Sequence, residues 1–265
     1  MRVGICTSWE EMARISPPPC DYIEEGVQDF LVPERPREEF EDILARARSL
    51  PIAVEAANRF FPADLKLVSS PSQAVDAARV ERYVRTALAR AEQSGIEILV
   101  FGSPAARACP ADCAYEDAVD QIAEHLRRWG PWARDHGVTI VLEPIRRGES
   151  NNLNTVAECG ALVGGLARPG ILLLADTYHM ACNGEAPDTV LPFSEILVHA
   201  HTAEKRDRAA PGTHGEDLRP YFAALKRAGY DRRISIECNW RDLGAQVAAA
   251  VTSVREQWDG ATSGA

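Results

Sequence analysis

Apolar residues fall in short runs that recur along the whole chain: VGIC at 3–6, DYIEEGV at 21–27, IAVEAA at 52–57, ILVFG at 98–102, TIVLEPI at 139–145, ILLLAD at 171–176, ILVHAH at 196–201 and ISIEC at 234–238. Most are continuous rather than alternating, which suits strands covered on both faces, as in a parallel sheet. Between them lie stripes at helical spacing. Phe40, Ile43, Leu44 and Ala47 form one, and Val80, Val84, Ala87, Leu88 and Ala91 another; Val119, Ile122, Leu126 and Trp129 follow, then Leu218, Phe222 and Leu225. The i, i+3, i+4, i+7 pattern is that of amphipathic helices. Gly95, Gly137 and Gly229 stand just past three of these helices, where a left-handed residue is favoured. A last helix is expected from about Leu243 to Trp258, and a frayed tail over residues 261–265.

Strand and helix thus alternate eight times, with no Pro/Gly/Ser-rich linker to divide the chain. The expectation is an α/β single domain over residues 1–260, a (β/α)8 TIM barrel. A doubly wound open sheet is the weaker alternative, because no G-x-G-x-x-G follows the first run.

Composition narrows the function. At 265 residues, 46% hydrophobic and 26% charged, the chain can bury a large core without disulfides or a structural metal. Its net charge of −10 disfavours nucleic acid and anionic membranes as partners. The opening MRVGICTSWEEM has no apolar stretch of a secretory signal, and no apolar run approaches the roughly 18 residues of a membrane span. With seven scattered cysteines, reduced thiols and a cytoplasmic location are expected. Cys109 and Cys113 have no second cysteine pair nearby, so a zinc site there is not expected.

The chemistry is read at the strand ends, because barrel active sites sit at the C-terminal ends of the strands. Strand five closes on Glu143, strand six on Asp176 with His179 three residues on, strand seven on His199 and His201, and strand eight on Glu237. Each alone has an ordinary reading: a solvated strand end, a turn cap, a core histidine, a partner for an arginine. Together they would repel and be costly to bury unless a cation joined them. Glu143, Asp176, His201 and Glu237 therefore read as one divalent-metal site, with Mn²⁺, Mg²⁺ or Co²⁺ favoured and Zn²⁺ also suitable. His199, one layer below His201, reads as a core or supporting residue.

At these residues the sequence resembles the sugar isomerase/epimerase superfamily of xylose isomerase-like barrels, in particular ketohexose 3-epimerases and hydroxypyruvate isomerases. The segments VLEPIRRGESNNLNT, LLADTYHM, VHAHTAEKRDRAAPG and ISIECNW carry the likeness. It implies metal binding by Glu143, Asp176, His201 and Glu237, and substrate contacts from Glu149, His179 and an arginine before Pro211-Gly212. Arg208 fits that role by distance, with Arg206 in competition because the loop is one residue longer. The implied activity is isomerisation or epimerisation of a sugar, sugar phosphate or small hydroxy-carbonyl compound. It passes through an enediolate stabilised by the ion, with Glu143 and Glu237 as catalytic acid and base. The resemblance also suggests a homodimer or homotetramer.

A metal-dependent dehydratase of a cyclic polyol or keto-inositol would use the same enediolate, and a catalytically inactive sugar-binding barrel is a further alternative. A DNA-repair endonuclease on this barrel needs histidines from strands three and four, and the first histidine here is His125. Trp9, Phe60, Phe61 and Trp240 could pack on a sugar face or simply on the core. Gly102-Ser103-Pro104 could approach substrate or form a plain turn; Arg146 and Arg147 could attract an anion or remain solvated.

Overall fold

The computed structural model describes residues 1–166 and 170–262. Each apolar run becomes a strand: β1 Arg2–Cys6, β2 Tyr22–Gly26, β3 Val54–Asn58, β4 Ile98–Phe101, β5 Thr139–Leu142, β6 Ile171–Asp176, β7 Leu197–Thr202 and β8 Arg233–Ile236. All pair in parallel with their sequence neighbours, and β1 pairs with β8, which closes the expected (β/α)8 barrel. The α-helices are α1 Trp9–Met12, α2 Arg37–Ala47, α3 Ala77–Ser94, α4 Tyr115–Asp135, α5 Val156–Leu166, α6 Thr177–Asn183, α7 Arg219–Arg227 and α8 Leu243–Gly260.

The predicted stripes face the core. Phe40, Val84, Leu88, Ile122, Leu126, Trp129, Phe222 and Leu225 are all buried between helix and barrel. Burying each large apolar side chain contributes roughly 1.5–3 kcal/mol. Gly95, Gly137 and Gly229 have φ of 78°, 66° and 72°, the left-handed conformation that ends a helix without a Cβ clash. Inside the barrel Tyr22, Ala56, Ile98, Val100, Val141 and Leu174 form a separate apolar cluster below the strand ends. That plug fills the barrel interior beneath the strand ends.

Three features depart from the regular pattern. The helix after β1 is only four residues long, and β2 runs into a π-helical turn, Val27–Leu31, before α2. A 3₁₀ segment, Pro187–Phe193, extends the short α6 toward β7. The tail expected to fray from residue 261 instead starts out packed: Ala261 is buried and its carbonyl accepts from Lys226 Nζ. Residues 263–265 lie outside the described residues. Among the described residues no helix is long and apolar enough to cross a membrane.

Candidate active site and metal centre

The strand register brings the ionisable residues together. Asp176 lies opposite His201 in the β6–β7 ladder. Glu143 and Glu237 sit one residue beyond β5 and β8, with their N–H groups still donating to the neighbouring strand, to Phe101 and Thr202. One ligand atom from each of Glu143, Asp176, His201 and Glu237 lies within 4.8 Å of the other three. The structure thus gathers all four predicted ligands at one point.

Glu143 Oε1, Asp176 Oδ2 and His201 Nδ1 are buried and make no well-aligned hydrogen bond, although His201 Nδ1 lies 3.3 Å from both Glu143 Oε1 and Glu237 Oε2. Buried polar groups normally find partners, so three convergent orphans indicate a missing one. A divalent cation fits: the donors are hard oxygens plus one imidazole nitrogen, and positive charge would satisfy all of them. Without it the charges are poorly balanced. Burial pushes the Glu143 carboxyl up, and the nearby Glu237 charge adds to this. Burial likewise raises Asp176 to about 6, although Arg208 and His201 oppose the shift. Glu237 goes the other way, to about 2, because His201 and Arg208 outweigh its burial.

Two of the predicted ligands are also tied into the fold. Asp176 Oδ1 caps α6 by accepting from Tyr178 N at 2.8 Å, which leaves Oδ2 for the centre. Asp176 therefore caps the turn with one oxygen and turns the other to the centre. Glu143 needs Gly102 beside it: a Cβ at position 102 would collide with Glu143 Oε2. Gly102 thus leaves room for the carboxylate, while Ser103 and Pro104 of the same turn line the cavity around the centre.

His201 depends on a residue that sequence reasoning missed. Glu24, on β2, is fully enclosed; its Oε1 lies 2.8 Å from His201 Nε2 and its Oε2 lies 2.8 Å from His199 Nε2. Ser235 Oγ also donates to Glu24 Oε2 at 2.5 Å, and Tyr22 Oη is 2.7 Å from Ser235 Oγ. The two histidines offset the cost of burial and hold Glu24 well below the ordinary carboxylate range. An ionised carboxylate only accepts, so Nε2 of His201 bears a proton toward Glu24, and Nδ1 is the nitrogen turned to the centre. His199 is a buried supporting residue. Cys6, Glu24 and His201 also approach one another, with both Glu24 oxygens hydrogen-bonded to the histidines. The signal for Glu24 was a charged residue in an apolar strand, two positions from Tyr22 and so on the same face.

Around the centre lies a cavity of about 390 Å³, within the rough 300–1,000 Å³ range of small-molecule sites. Glu143, Glu149, His179, Arg208 and Glu237 line it, together with Phe61, Ile145 and residues 103–106. His179 Nδ1 accepts from Arg146 N at 3.3 Å and its Nε2 lies 3.5 Å from Asp176 Oδ2. Burial lowers its pKa, so it is a neutral imidazole with an Nε2–H donor. Glu149 Oε1 accepts from Arg146 Nε at 2.5 Å, and its Oε2 is 4.0 Å from Arg208.

Of the two competing arginines, only Arg208 enters the site. It donates to Glu237 Oε2, lies 3.6 Å from Asp176 Oδ2 and stacks on Tyr178 at 4.6 Å. Arg206 is largely exposed, with its guanidinium 3.9 Å from Asp207. The loop achieves this with Asp207 and Arg208 at φ of 62° and 50°. Asn239 steadies that strained pair, its side chain donating to Asp207 O and its backbone N–H to Arg208 O. Below them Glu204 accepts from the N–H groups of Gly212, His214, Gly215 and Glu216.

Asn58 on β3 is a second missed residue; its side-chain amide donates to Glu237 Oε1 at 3.2 Å. Of the four aromatics considered for sugar stacking, only Phe61 reaches the cavity, and it also packs on Tyr83, Phe101 and Trp129. Trp9 and Phe60 are buried, and Trp240 Nε1 donates to Cys6 O. Arg146 is engaged by Glu149, and Arg147 lies 4.0 Å from Glu158. Cys109 and Cys113 join no metal-binding group among the described residues. His125 bonds Leu67 O and stacks on Trp129, away from the strand ends.

Comparison with known proteins agrees with this architecture. The chain is 32% identical over 151 residues to an L-ribulose 3-epimerase of Methylomonas sp. (strain DH-1), covering 51% of this chain and 52% of that protein. It is 37% identical over 108 residues to a ketose 3-epimerase of Arthrobacter globiformis, covering 40% and 36%. The match thus spans about half, or less, of the length of these curated relatives. The structure of a D-allulose 3-epimerase from Methylomonas sp. in complex with D-allulose superposes with a TM-score of 0.79 over 97% of each chain at 22% identity, a likeness of fold. Residues 19–257 match the family described as xylose isomerase-like TIM barrel, and the chain belongs to that family.

Proposed function

We propose that this chain is a divalent-metal-dependent epimerase or isomerase of an α-hydroxy carbonyl sugar, a ketose 3-epimerase in the reading the named relatives support best. The observation that carries the proposal is the convergence of the Glu143, Asp176, His201 and Glu237 donor atoms where Glu143 and Glu237 also line the cavity.

The four converging residues would hold the ion, which supplies Lewis acidity toward a vicinal carbonyl and hydroxyl and so acidifies the adjacent C–H. The remaining work falls to side chains. Glu143 and Glu237 project from β5 and from β8, separated by two intervening strands, so they approach a carbon held between them from different sides. One carboxylate serves as proton acceptor and the other, carrying a proton, as donor, with the roles reversed in the opposite direction. The acceptor takes the C–H proton, leaving an enediolate. The donor returns a proton to the opposite face, which inverts the centre. Return to the neighbouring carbon instead exchanges ketose for aldose.

Arg208 and Asn58 donate to the two oxygens of Glu237 and fix its carboxylate plane. The His179 Nε2–H is placed to donate to the developing oxyanion. Glu149, braced by Arg146, is placed to accept from a substrate hydroxyl. The test is incubation of the Mn²⁺-supplemented protein with ketoses in D₂O. The wild type should incorporate deuterium at the carbon next to the carbonyl. Glu143→Gln and Glu237→Gln should each lose about 10²- to 10⁴-fold in that rate while remaining folded. Full exchange in either variant would refute the assignment.

A further inference from the structure

The ends of β2 and β3 form the rim across the barrel from β6 and β7, and the chemistry above uses none of their cavity-lining residues. Asn58 ends β3 and turns to Glu237. The next residue, Arg59, has a φ of 49°, a left-handed conformation uncommon for a long side chain. Such a backbone persists only where its surroundings fix it. Here Gln28 Nε2 donates to Arg59 O at 2.9 Å, and the Asp29 carboxylate pairs with the guanidinium. Gly26 completes the arrangement, because a Cβ at that position would overlap Arg59 Nη2. Three residues of the β2–α2 segment are thus given over to aiming one exposed arginine. Arg59 and Gln28 both line the cavity that Glu143, Glu149, His179, Arg208 and Glu237 also line.

Charge indicates what this rim can accept. The two cations lining the cavity are already paired, Arg208 with Glu237 and Arg59 with Asp29. A phosphate or carboxylate would meet guanidinium charges already offset by the carboxylates beside them. A neutral hydroxyl can still be bound, because a guanidinium has five N–H donors and one carboxylate does not use them all.

We infer that Arg59 and Gln28 form a distal subsite that hydrogen-bonds the far hydroxyl groups of an uncharged polyhydroxy chain, making Arg59 a determinant of substrate length. The inference rests on the proposed function in one respect: it takes the Glu143–Glu237 end as the reacting end.

The test uses Arg59→Gly, which removes the side chain while suiting a φ of 49°, so the variant should unfold at no lower temperature than the wild type. The Mn²⁺-loaded proteins are titrated calorimetrically with D-fructose, dihydroxyacetone and D-fructose 6-phosphate. The wild type should bind the six-carbon sugar more tightly than the three-carbon one, and Arg59→Gly should shrink that preference about tenfold, the loss of one charge-assisted hydrogen bond. An unchanged preference, or no fructose binding by the wild type, overturns the inference. A wild-type preference for the phosphate ester that disappears in Arg59→Gly overturns its uncharged-substrate part. Deuterium exchange is read separately: absence of exchange with every ketose sinks the epimerase reading, while the titration still decides on Arg59.

Discussion

The two ends of the barrel each gather charged side chains, and they treat them in opposite ways. At the N-terminal end Arg2 makes two bonds to Glu55, at 2.5 and 2.6 Å. Arg233 bridges Glu55 at 2.9 Å and Glu97 at 2.8 Å. Both guanidinium groups also lie over the Tyr22 ring that plugs the barrel. None of these residues has a buried polar atom without a partner. At the C-terminal end Glu143, Asp176 and Glu237 meet Arg208 and His201, and three buried atoms are left over. Charges matched in number and geometry close a structure. Charges left unmatched in a buried place imply something that binds there, because an unpaired buried polar atom costs about 1–3 kcal/mol.

That contrast can be sharpened from the side of the site. Glu24 has no direct line to substrate, yet it fixes which nitrogen of His201 faces the centre. Glu24→Gln should lower Mn²⁺ affinity about 10- to 100-fold, the usual cost of losing the carboxylate behind a histidine ligand. Equilibrium dialysis against Mn²⁺ measures this, and unchanged affinity would show that the Glu24–His201 bond does not position the ligand.

The smaller effect lies at the other end. Arg2 and Arg233 hold the Glu55 carboxyl below its ordinary value, against its partial burial. A depressed carboxylate contributes stability that is present above its unfolded value and is lost as pH falls through its folded one. Wild type should therefore exceed Glu55→Gln in urea midpoint at pH 7, and the gap should close in strongly acidic solution. The partly solvated setting keeps the difference small. Mn²⁺ affinity should be the same in both proteins; a loss in Glu55→Gln would mean that the two ends are coupled.

Much of the fold was legible because parallel strands buried on both faces leave continuous apolar runs, and ILLLAD at 171–176 coincides with β6 residue for residue. Strand ends were less legible. β3 begins at Val54 and extends to Asn58, because pairing with β2 and β4, not apolarity, sets its limits. The β5–β8 half of the site stood out since each run there closes on an ionisable residue. The β2–β3 half did not. Glu24 sits mid-strand beside Glu25, and only the closed barrel brings it to His199 and His201. The choice between Arg206 and Arg208 also lay beyond sequence, since two left-handed residues in succession decide which arginine turns inward.

The central claim is that Glu143, Asp176, His201 and Glu237 together hold one divalent ion. Mn²⁺ titration followed by electron paramagnetic resonance tests it most directly, on the wild type and on Asp176→Ala, which removes an orphaned oxygen. The account predicts one tight site per wild-type chain and its loss in the variant. Wild-type stoichiometry and affinity retained in Asp176→Ala would contradict it.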